Sequence, residues 1–201
     1  MNDIRLTNLR KSFGEKTVLA DLSLTLPAGR VTCVMAPSGG GKTTLMHIML
    51  GLLPPDSGTV SGLDGQKIAA VFQEDRLIDT MDPVSNIRLV SPSLKRDAVI
   101  EEMRRIGLTD CAGQPVSELS GGMRRRVALL RALMSDWDFL LMDEPFKGLD
   151  EETRAQTIRE TRRLTAGRTV LLITHDPVEA EMMDAVVIHL PTLQEPARRD
   201  T

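Results

Sequence analysis

The sequence predicts an α/β domain with a mostly parallel sheet, and three observations support that fold class. Short apolar runs alternate with helix-length segments between residues 135 and 190, an order typical of parallel sheets with helical crossovers. Residues 36–41 form a glycine-rich turn between a short apolar run and a segment with helical spacing. Residues 83–134 carry apolar side chains at helical spacing, which predicts a separate helical region.

The first part of the chain is expected to form strands. Residues 4–9 and 18–26 alternate apolar and polar side chains, and Leu22, Leu24 and Leu26 share one face of the second strand. A turn then leads to a short buried strand, and the glycine-rich turn leads to a helix. The bounds that we expect are 30–35 for this strand, 41–50 for the helix and 59–73 for further short strands.

The rest of the chain begins with the helical region and then alternates strands and helices. Two helices are expected in the helical region, marked by Val99, Met103, Ile106 and the stop residue Gly107, and by Met123, Val127, Leu130 and Met134. Beyond it, strands are expected at 139–142, 170–174 and 185–190, with helices at 151–164 and 177–183. Asp176 followed by Pro177 is a typical helix start.

The length of 201 residues suits one domain, which we place at residues 1–190. Its expected parts are a core (1–82 and 135–190), a helical subdomain (83–134) and a short tail (191–201). Hydrophobic residues make up 41% of the chain and charged residues 26%, so the chain can bury an apolar core without disulfides. The two cysteines, Cys33 and Cys111, are too few for a disulfide framework.

Charge and aromatic content argue against a nucleic acid partner. The net charge is −3, and the chain has four Phe, one Trp and no Tyr, so neither a basic surface nor a set of stacking rings is expected. The N-terminus does not resemble a signal peptide, and no apolar run approaches the roughly 20 residues that span a bilayer. We therefore expect a cytoplasmic protein that reaches a membrane only through another protein.

Residues 36–44, Ala-Pro-Ser-Gly-Gly-Gly-Lys-Thr-Thr, form the strongest local motif. The motif follows a strand and opens a helix, as in loops that bind phosphate through backbone N–H groups and a helix N-terminus. Lys42 can reach the β- and γ-phosphates of a nucleotide, and the Thr43 hydroxyl can bind Mg²⁺. Ala36 stands where glycine is usual and requires a negative φ. The other residues of the loop are Pro37, Ser38, Gly39, Gly40, Gly41 and Thr44.

A second motif ends an apolar strand with two acidic residues. Residues 139–144 read Phe-Leu-Leu-Met-Asp-Glu, so Asp143 and Glu144 lie at the carboxyl edge of the sheet, where α/β proteins bind ligands. Asp143 is expected to hold Mg²⁺, and Glu144 to act as general base toward an attacking water. In isolation the pair would be a surface turn, but beside a phosphate loop it predicts hydrolysis of a nucleoside triphosphate.

A third motif, Leu-Ser-Gly-Gly-Met at residues 119–123, places Ser120, Gly121 and Gly122 at a helix start. In isolation it would be an ordinary N-cap. The order of the three motifs resembles that of ATP-binding cassette (ABC) transporter ATPase subunits, over roughly residues 4–190. The resemblance implies ATP and Mg²⁺ as ligands, a P-loop NTPase core, an N-terminal antiparallel β part and a small α-helical subdomain that carries the third motif.

The resemblance also implies roles for further residues. Phe13 takes the position of an aromatic residue that stacks on adenine, with a core position as the alternative. Gln73 matches the Q-loop glutamine, which contacts Mg²⁺ and relays to the membrane partner. His175 matches the switch histidine, which bonds the γ-phosphate and helps to orient Glu144. Residues 146–150 match the D-loop.

One phosphate loop and one signature motif per chain imply an ATP-dependent dimer, because in this family the two motifs meet across a head-to-tail interface. Ser120, Gly121 and Gly122 would then contact the γ-phosphate held by the partner. We expect a homodimer, with a heterodimer of two different ATPase subunits as the alternative. Met123 stands where Gln is usual and Lys147 where a small residue is usual, so both can alter dimer contacts or rate.

Residues 71–78, Val-Phe-Gln-Glu-Asp-Arg-Leu-Ile, are similar to the Q-loop of nitrate/sulfonate/taurine-type importers. Those systems pair an ATPase dimer with membrane permease chains and a solute-binding protein, so we expect an ATPase that drives import. An exporter ATPase and a non-transport ABC ATPase of translation or DNA repair are the alternatives. The permease groove is expected around Leu77, Ile78, Met81 and Val84, beside the helical subdomain.

Arg124, Arg125 and Arg126 follow the third motif directly. A run of like charges on a helix is expected to be a solvated, ion-paired face rather than a nucleic acid patch.

Overall fold

The structure is a computed structural model that describes residues 2–35 and 40–190. Within these residues the chain forms eight strands in two sheets. The strands are β1 (Ile4–Phe13), β2 (Lys16–Leu26), β3 (Val31–Met35), β4 (Ser57–Ser61), β5 (Ile68–Val71), β6 (Phe139–Asp143), β7 (Thr169–Ile173) and β8 (Val186–His189). An antiparallel sheet has the order β2-β1-β4, and a parallel sheet has the order β5-β6-β7-β3-β8.

The helices connect the strands in the predicted order, but residues 83–134 form three α-helices where the sequence analysis expects two. They are α1 (Lys42–Met49), α2 (Pro83–Arg88), α3 (Arg96–Arg105), α4 (Gly121–Leu133), α5 (Glu151–Thr165) and α6 (Pro177–Met182), with a 3₁₀ turn at Val116–Glu118. Gly107 ends α3 as predicted: its φ is 73°, and the N–H of Leu108 donates to the carbonyl of Met103 at 2.8 Å. The predicted α/β class with a mostly parallel sheet is therefore confirmed.

The parallel sheet separates two apolar cores because successive side chains of a strand point to opposite faces. On β6, Phe139 and Leu141 face one core, while Leu140 and Met142 face the other. The first core includes α1 and the antiparallel sheet, and the second includes α2, α3, α4 and buried Trp137. Burial on both faces explains why these strands are nearly continuous apolar runs.

No helix among the residues that the structure describes is long and apolar enough to cross a membrane.

Candidate active site

Four neighbouring strands of the parallel sheet bring predicted site residues to one edge. The strands β5, β6, β7 and β3 are adjacent in that order, and all are parallel. Their carboxyl ends lead to Gln73, to Asp143 and Glu144, to His175 and to the phosphate loop. Because parallel strands end at the same edge, residues that are far apart in the sequence share one side of the fold.

The described half of the phosphate loop surrounds a cavity of about 170 Å³, lined by Val18 and by Gly40, Gly41, Lys42, Thr43 and Thr44. Gly41 is the N-cap of α1 and has a φ of 81°, in the left-handed region. A Cβ atom on Gly41 would lie 2.7 Å from the carbonyl oxygen of Val18, so only glycine fits there. Ala36, Pro37, Ser38 and Gly39 lie outside the described residues.

Asp143 is a buried carboxylate at the end of β6. Burial raises the pKa of Asp143, the charge of Glu144 raises this pKa further, and the charges of Lys42 and Arg125 oppose the rise. The Lys42 charge therefore acts on Asp143, and the exposed Thr43 hydroxyl follows Lys42 directly. The Thr43 hydroxyl and the buried Asp143 carboxylate both offer oxygen ligands that fit Mg²⁺. A bound Mg²⁺ would favour the ionised form of Asp143.

Glu144 and His175 form a direct contact. His175 Nδ1 lies 2.9 Å from Glu144 Oε1 and 3.1 Å from Oε2. Because a carboxylate only accepts hydrogen bonds, ionised Glu144 requires the proton on Nδ1. The side chain of Glu144 is 12% exposed and that of His175 is 71% exposed, so the ring reaches solvent while the carboxylate stays sheltered.

The backbone of Glu144 is in the left-handed region, with a φ of 47°. Its N–H donates to the carbonyl of Ile173 on β7 at 2.8 Å. This conformation is unfavourable for an L-residue, and such residues often occur at functional sites. The turn directs the chain out of β6 immediately after Asp143.

The arginine run does not form the solvated face that the sequence analysis expects. Arg125 is buried and donates to the backbone carbonyls of Asp143 and Glu144, both at 2.8 Å. Arg126 is partly buried and donates to the carbonyl of Ile106 at 2.8 Å. The expected ion pairs are present, because Arg124 Nη2 lies 2.7 Å from an Asp79 carboxylate oxygen and Arg125 Nη1 lies 3.2 Å from one of Asp75. The expected solvation is wrong for Arg125, because carbonyl acceptors from distant segments bury it and the local charge pattern does not reveal them.

The third motif begins α4 and lies beside the D-loop of the same chain. Ser120 is the N-cap, and its Oγ accepts a hydrogen bond from the N–H of Met123 at 3.3 Å. A Cβ atom on Gly122 would lie 3.3 Å from Leu149, whereas one on Gly121 would have no neighbour within 4 Å. Gly121 therefore leaves space in front of the helix start.

Phe13 ends β1, and 52% of its surface is exposed. The Lys11 ammonium lies 5.8 Å from the centre of the ring. The alternative of a core position for Phe13 is therefore wrong, and the ring is accessible for stacking.

The residues expected around a permease groove divide into buried and exposed ones. Val84 is buried, whereas Met81 and Leu77 are partly buried, and Leu77 packs against the second core. Ile78 is 42% exposed, and Leu89 and Val90 at the end of α2 are 46% and 49% exposed. Of the four expected residues only Ile78 is exposed, and the sequence analysis does not identify Leu89 and Val90.

Comparison with known proteins gives one consistent result. The model of the ABC transporter family matches residues 19–147. The aliphatic sulfonates import ATP-binding protein SsuB 3 of Rhodococcus jostii is 40% identical, over 92% of this chain and 70% of the relative. The thiamine import ATP-binding protein ThiQ of Brucella abortus is 35% identical, over 94% of this chain and 84% of the relative.

A solved structure has the same fold. The dimeric structure of MJ0796, a bacterial ABC transporter cassette, superposes with a TM-score of 0.80 at 27% sequence identity. The match covers 93% of this chain and 94% of the other. The two sheets and the helices described above are thus those of an ABC cassette.

Proposed function

Because this chain belongs to the ABC transporter family, whose ATP-binding proteins are ATPases, we propose that it is the ATP-hydrolysing subunit of an importer. The observation that carries the proposal is that β6 and β7 end at one sheet edge, where Glu144 contacts His175 and the charge of Lys42 acts on Asp143. The import ATP-binding proteins among its relatives support import over export. Sulfonate, thiamine and zinc importers all occur among them, so the solute stays open.

The proposed reaction is transfer of the γ-phosphoryl group of ATP to water. Glu144 accepts a proton from the water while the water oxygen attacks phosphorus, and the bond to the bridging oxygen breaks to release ADP. The ammonium of Lys42 stabilises charge on the phosphate oxygens, and His175 orients Glu144 through the 2.9 Å contact of Nδ1. The nearly buried position of the Glu144 carboxylate keeps competing water away from it.

Thr43, Asp143 and Gln73 would hold Mg²⁺, which when bound neutralises phosphate charge. Gln73 is exposed beyond β5, at the same strand edge as Asp143. Phe13 would stack on the adenine ring, as its exposure at the end of β1 allows.

We also propose that two copies of the chain close around ATP. The related cassette is described as dimeric, and the open space in front of Gly121 supports a partner's phosphate at Ser120 and Gly121. The exposed Lys147 in the D-loop would then lie near the interface.

The dimer would bind the cytoplasmic side of membrane permease chains, and a separate solute-binding protein would deliver the solute. Ile78, Leu89 and Val90 supply an exposed apolar surface for this contact. Asn86 joins the segment of Ile78 to α2, because its Oδ1 accepts the N–H of Ile78 at 2.9 Å. Val90 also lines a cleft of about 320 Å³ between β5 and the end of α4.

The role of Glu144 is tested with Glu144→Gln, which keeps the shape of the side chain but cannot accept the proton. We expect ATP hydrolysis to fall by about 10²- to 10⁴-fold while ATP binding persists. Glu101→Gln, at an exposed position on α3, serves as the control. Steady-state hydrolysis and equilibrium binding of ATP are measured, and wild-type turnover in Glu144→Gln would reject the general-base role.

Dimer formation is tested by sedimentation of the Glu144→Gln protein with ATP. We expect a dimer that Gly121→Asp abolishes, because the new carboxylate repels the partner's phosphate. Gly113→Asp is a matched control, since a Cβ there also meets no neighbour within 4 Å. A Glu144→Gln protein that binds ATP and stays monomeric would contradict the homodimer.

A further inference from the structure

Arg125 of α4 is a buried cation that contacts the turn at the end of β6. Its side chain is 6% exposed. Nη2 donates to the carbonyl oxygens of Asp143 and Glu144, both at 2.8 Å, and Nε donates to the carbonyl oxygen of Pro145 at 3.1 Å. Three successive carbonyls therefore turn toward one guanidinium.

The same guanidinium also contacts the segment that follows β5. Nη1 lies 2.6 Å from the carbonyl oxygen of Phe72 and 3.3 Å from that of Gln73. It also lies 3.2 Å from the Asp75 carboxylate. The planar donor fork of arginine can bond two segments at once, and a buried arginine with so many acceptors is fully compensated.

These contacts explain how Glu144 keeps its unfavourable conformation. With a φ of 47°, Glu144 directs its carbonyl toward α4, where Arg125 Nη2 donates to the carbonyl oxygen. The N–H of Glu144 donates to the carbonyl of Ile173. Both backbone polar groups of Glu144 are thus fixed from opposite sides. The direction of its side chain toward His175 follows from that fixed backbone.

We infer that Arg125 is a positioning residue for hydrolysis, which holds Glu144 in its left-handed turn and ties that turn to the backbone of Gln73. This inference rests on the proposed role of Glu144 as general base. Arg125 itself bonds only protein groups in the part of the chain that the structure describes, so it acts through Glu144.

The neighbouring Arg124 provides a matched control on the same helix. Its side chain donates to the carbonyl of Val116 at 2.9 Å and to the Asp79 carboxylate at 2.7 Å, and it does not contact the β6 turn. Arg124→Met therefore removes a charge and two contacts of α4 without disturbing Glu144. We expect its turnover number to stay at the wild-type level.

The experiment compares the single variants Arg125→Met and Arg125→Lys with Arg124→Met. It also includes the double variant that combines Arg125→Met with Glu144→Gln. For Arg125→Met we expect the turnover number to fall about 100-fold, because a displaced base loses its alignment. The affinity for ATP should stay within about threefold, since no contact to the nucleotide is removed. Arg125→Lys keeps the charge but lacks the planar fork, so it should recover only part of the rate.

The double variant with Glu144→Gln separates positioning from general stability. If Arg125 acts through Glu144, then Arg125→Met should lower the residual single-turnover rate of Glu144→Gln by less than about twofold. Three results would each overturn the inference. The losses in the double variant could be additive, or Arg125→Met could leave the turnover number unchanged. Alternatively, both Arg125 variants could lose ATP affinity and turnover equally. Failure of the proposed function is distinct, because it appears as an inactive wild type or an active Glu144→Gln.

Discussion

At the residue scale, the two cysteine thiols are both buried. Burial raises the pKa of Cys33 to about 12, and burial also raises the pKa of Cys111. A raised pKa keeps a thiol protonated, so at pH 8 only about one Cys33 in ten thousand is the reactive thiolate.

We expect the native protein to leave both thiols unmodified by a disulfide reagent at pH 8. In denaturant, the reagent should modify both of them, because the unfolded chain restores ordinary thiol pKa values. The absorbance of the released thiol measures the number of modified cysteines. A rapid reaction of one equivalent in the native state would show that one of the two sites opens.

At the scale of elements, the pairing of β1 with β4 depends on close contact at an irregular position. The register of β1 shifts between Thr7 and Arg10, and Asn8 has a φ of 48°. Gly58 of β4 faces this bulge, and a Cβ atom on it would lie 2.4 Å from the carbonyl oxygen of Asn8. The φ of Gly58 is 86°, so both space and conformation require glycine.

Gly58→Ala should therefore lower the free energy of unfolding by about 2 kcal/mol or more, from strain and steric overlap together. Gly51→Ala is the matched control, because Gly51 has a φ of 68° but no atom within 4 Å of a Cβ. It should cost only about 1 kcal/mol. Urea unfolding of both variants measures the difference, and equal costs would contradict the role of the contact.

Local patterns predict the elements well but not their partners. The sequence predicts short strands within 59–73, yet β4 joins the antiparallel sheet while β5 joins the parallel one. Two short strands with similar composition carry no local signal that distinguishes the sheets. The sequence motifs identify Asp143, Glu144 and His175 as candidate site residues. They do not predict the contacts of Arg125, because its acceptors lie about 20 and 50 residues away in the chain.

At the scale of the whole molecule, the exposed apolar surface of Ile78, Leu89 and Val90 should control coupling to a permease. A charge there should weaken the contact, because the partner helix would have to desolvate it. We expect Val90→Glu to reduce the amount of solute transported per ATP hydrolysed by about tenfold. A tenfold effect corresponds to a loss of roughly 1.4 kcal/mol in the free energy of the contact. Val187→Glu, at a similarly exposed valine on β8, is the control.

The measurement is made in proteoliposomes that contain the permease, with transport and hydrolysis followed in the same sample. Both variants must first show wild-type thermal unfolding, so that misfolding is not counted as uncoupling. An unchanged ratio in Val90→Glu, or an equal decrease in Val187→Glu, would place the contact elsewhere on the chain.

The position of β3 between β7 and β8 in the parallel sheet affects the chain while it is being synthesised. β3 precedes the phosphate loop, but its two neighbours in the sheet are β7 (Thr169–Ile173) and β8 (Val186–His189). At about 5–20 residues per second, a ribosome needs roughly 10–30 s to proceed from β3 to β8. Until β7 is made, the strand has no partner on either side, and until β8 is made it has only one. β3 therefore gains its second sheet neighbour only when β8 emerges. Chaperones that bind exposed apolar strands would therefore find β3 accessible early in translation.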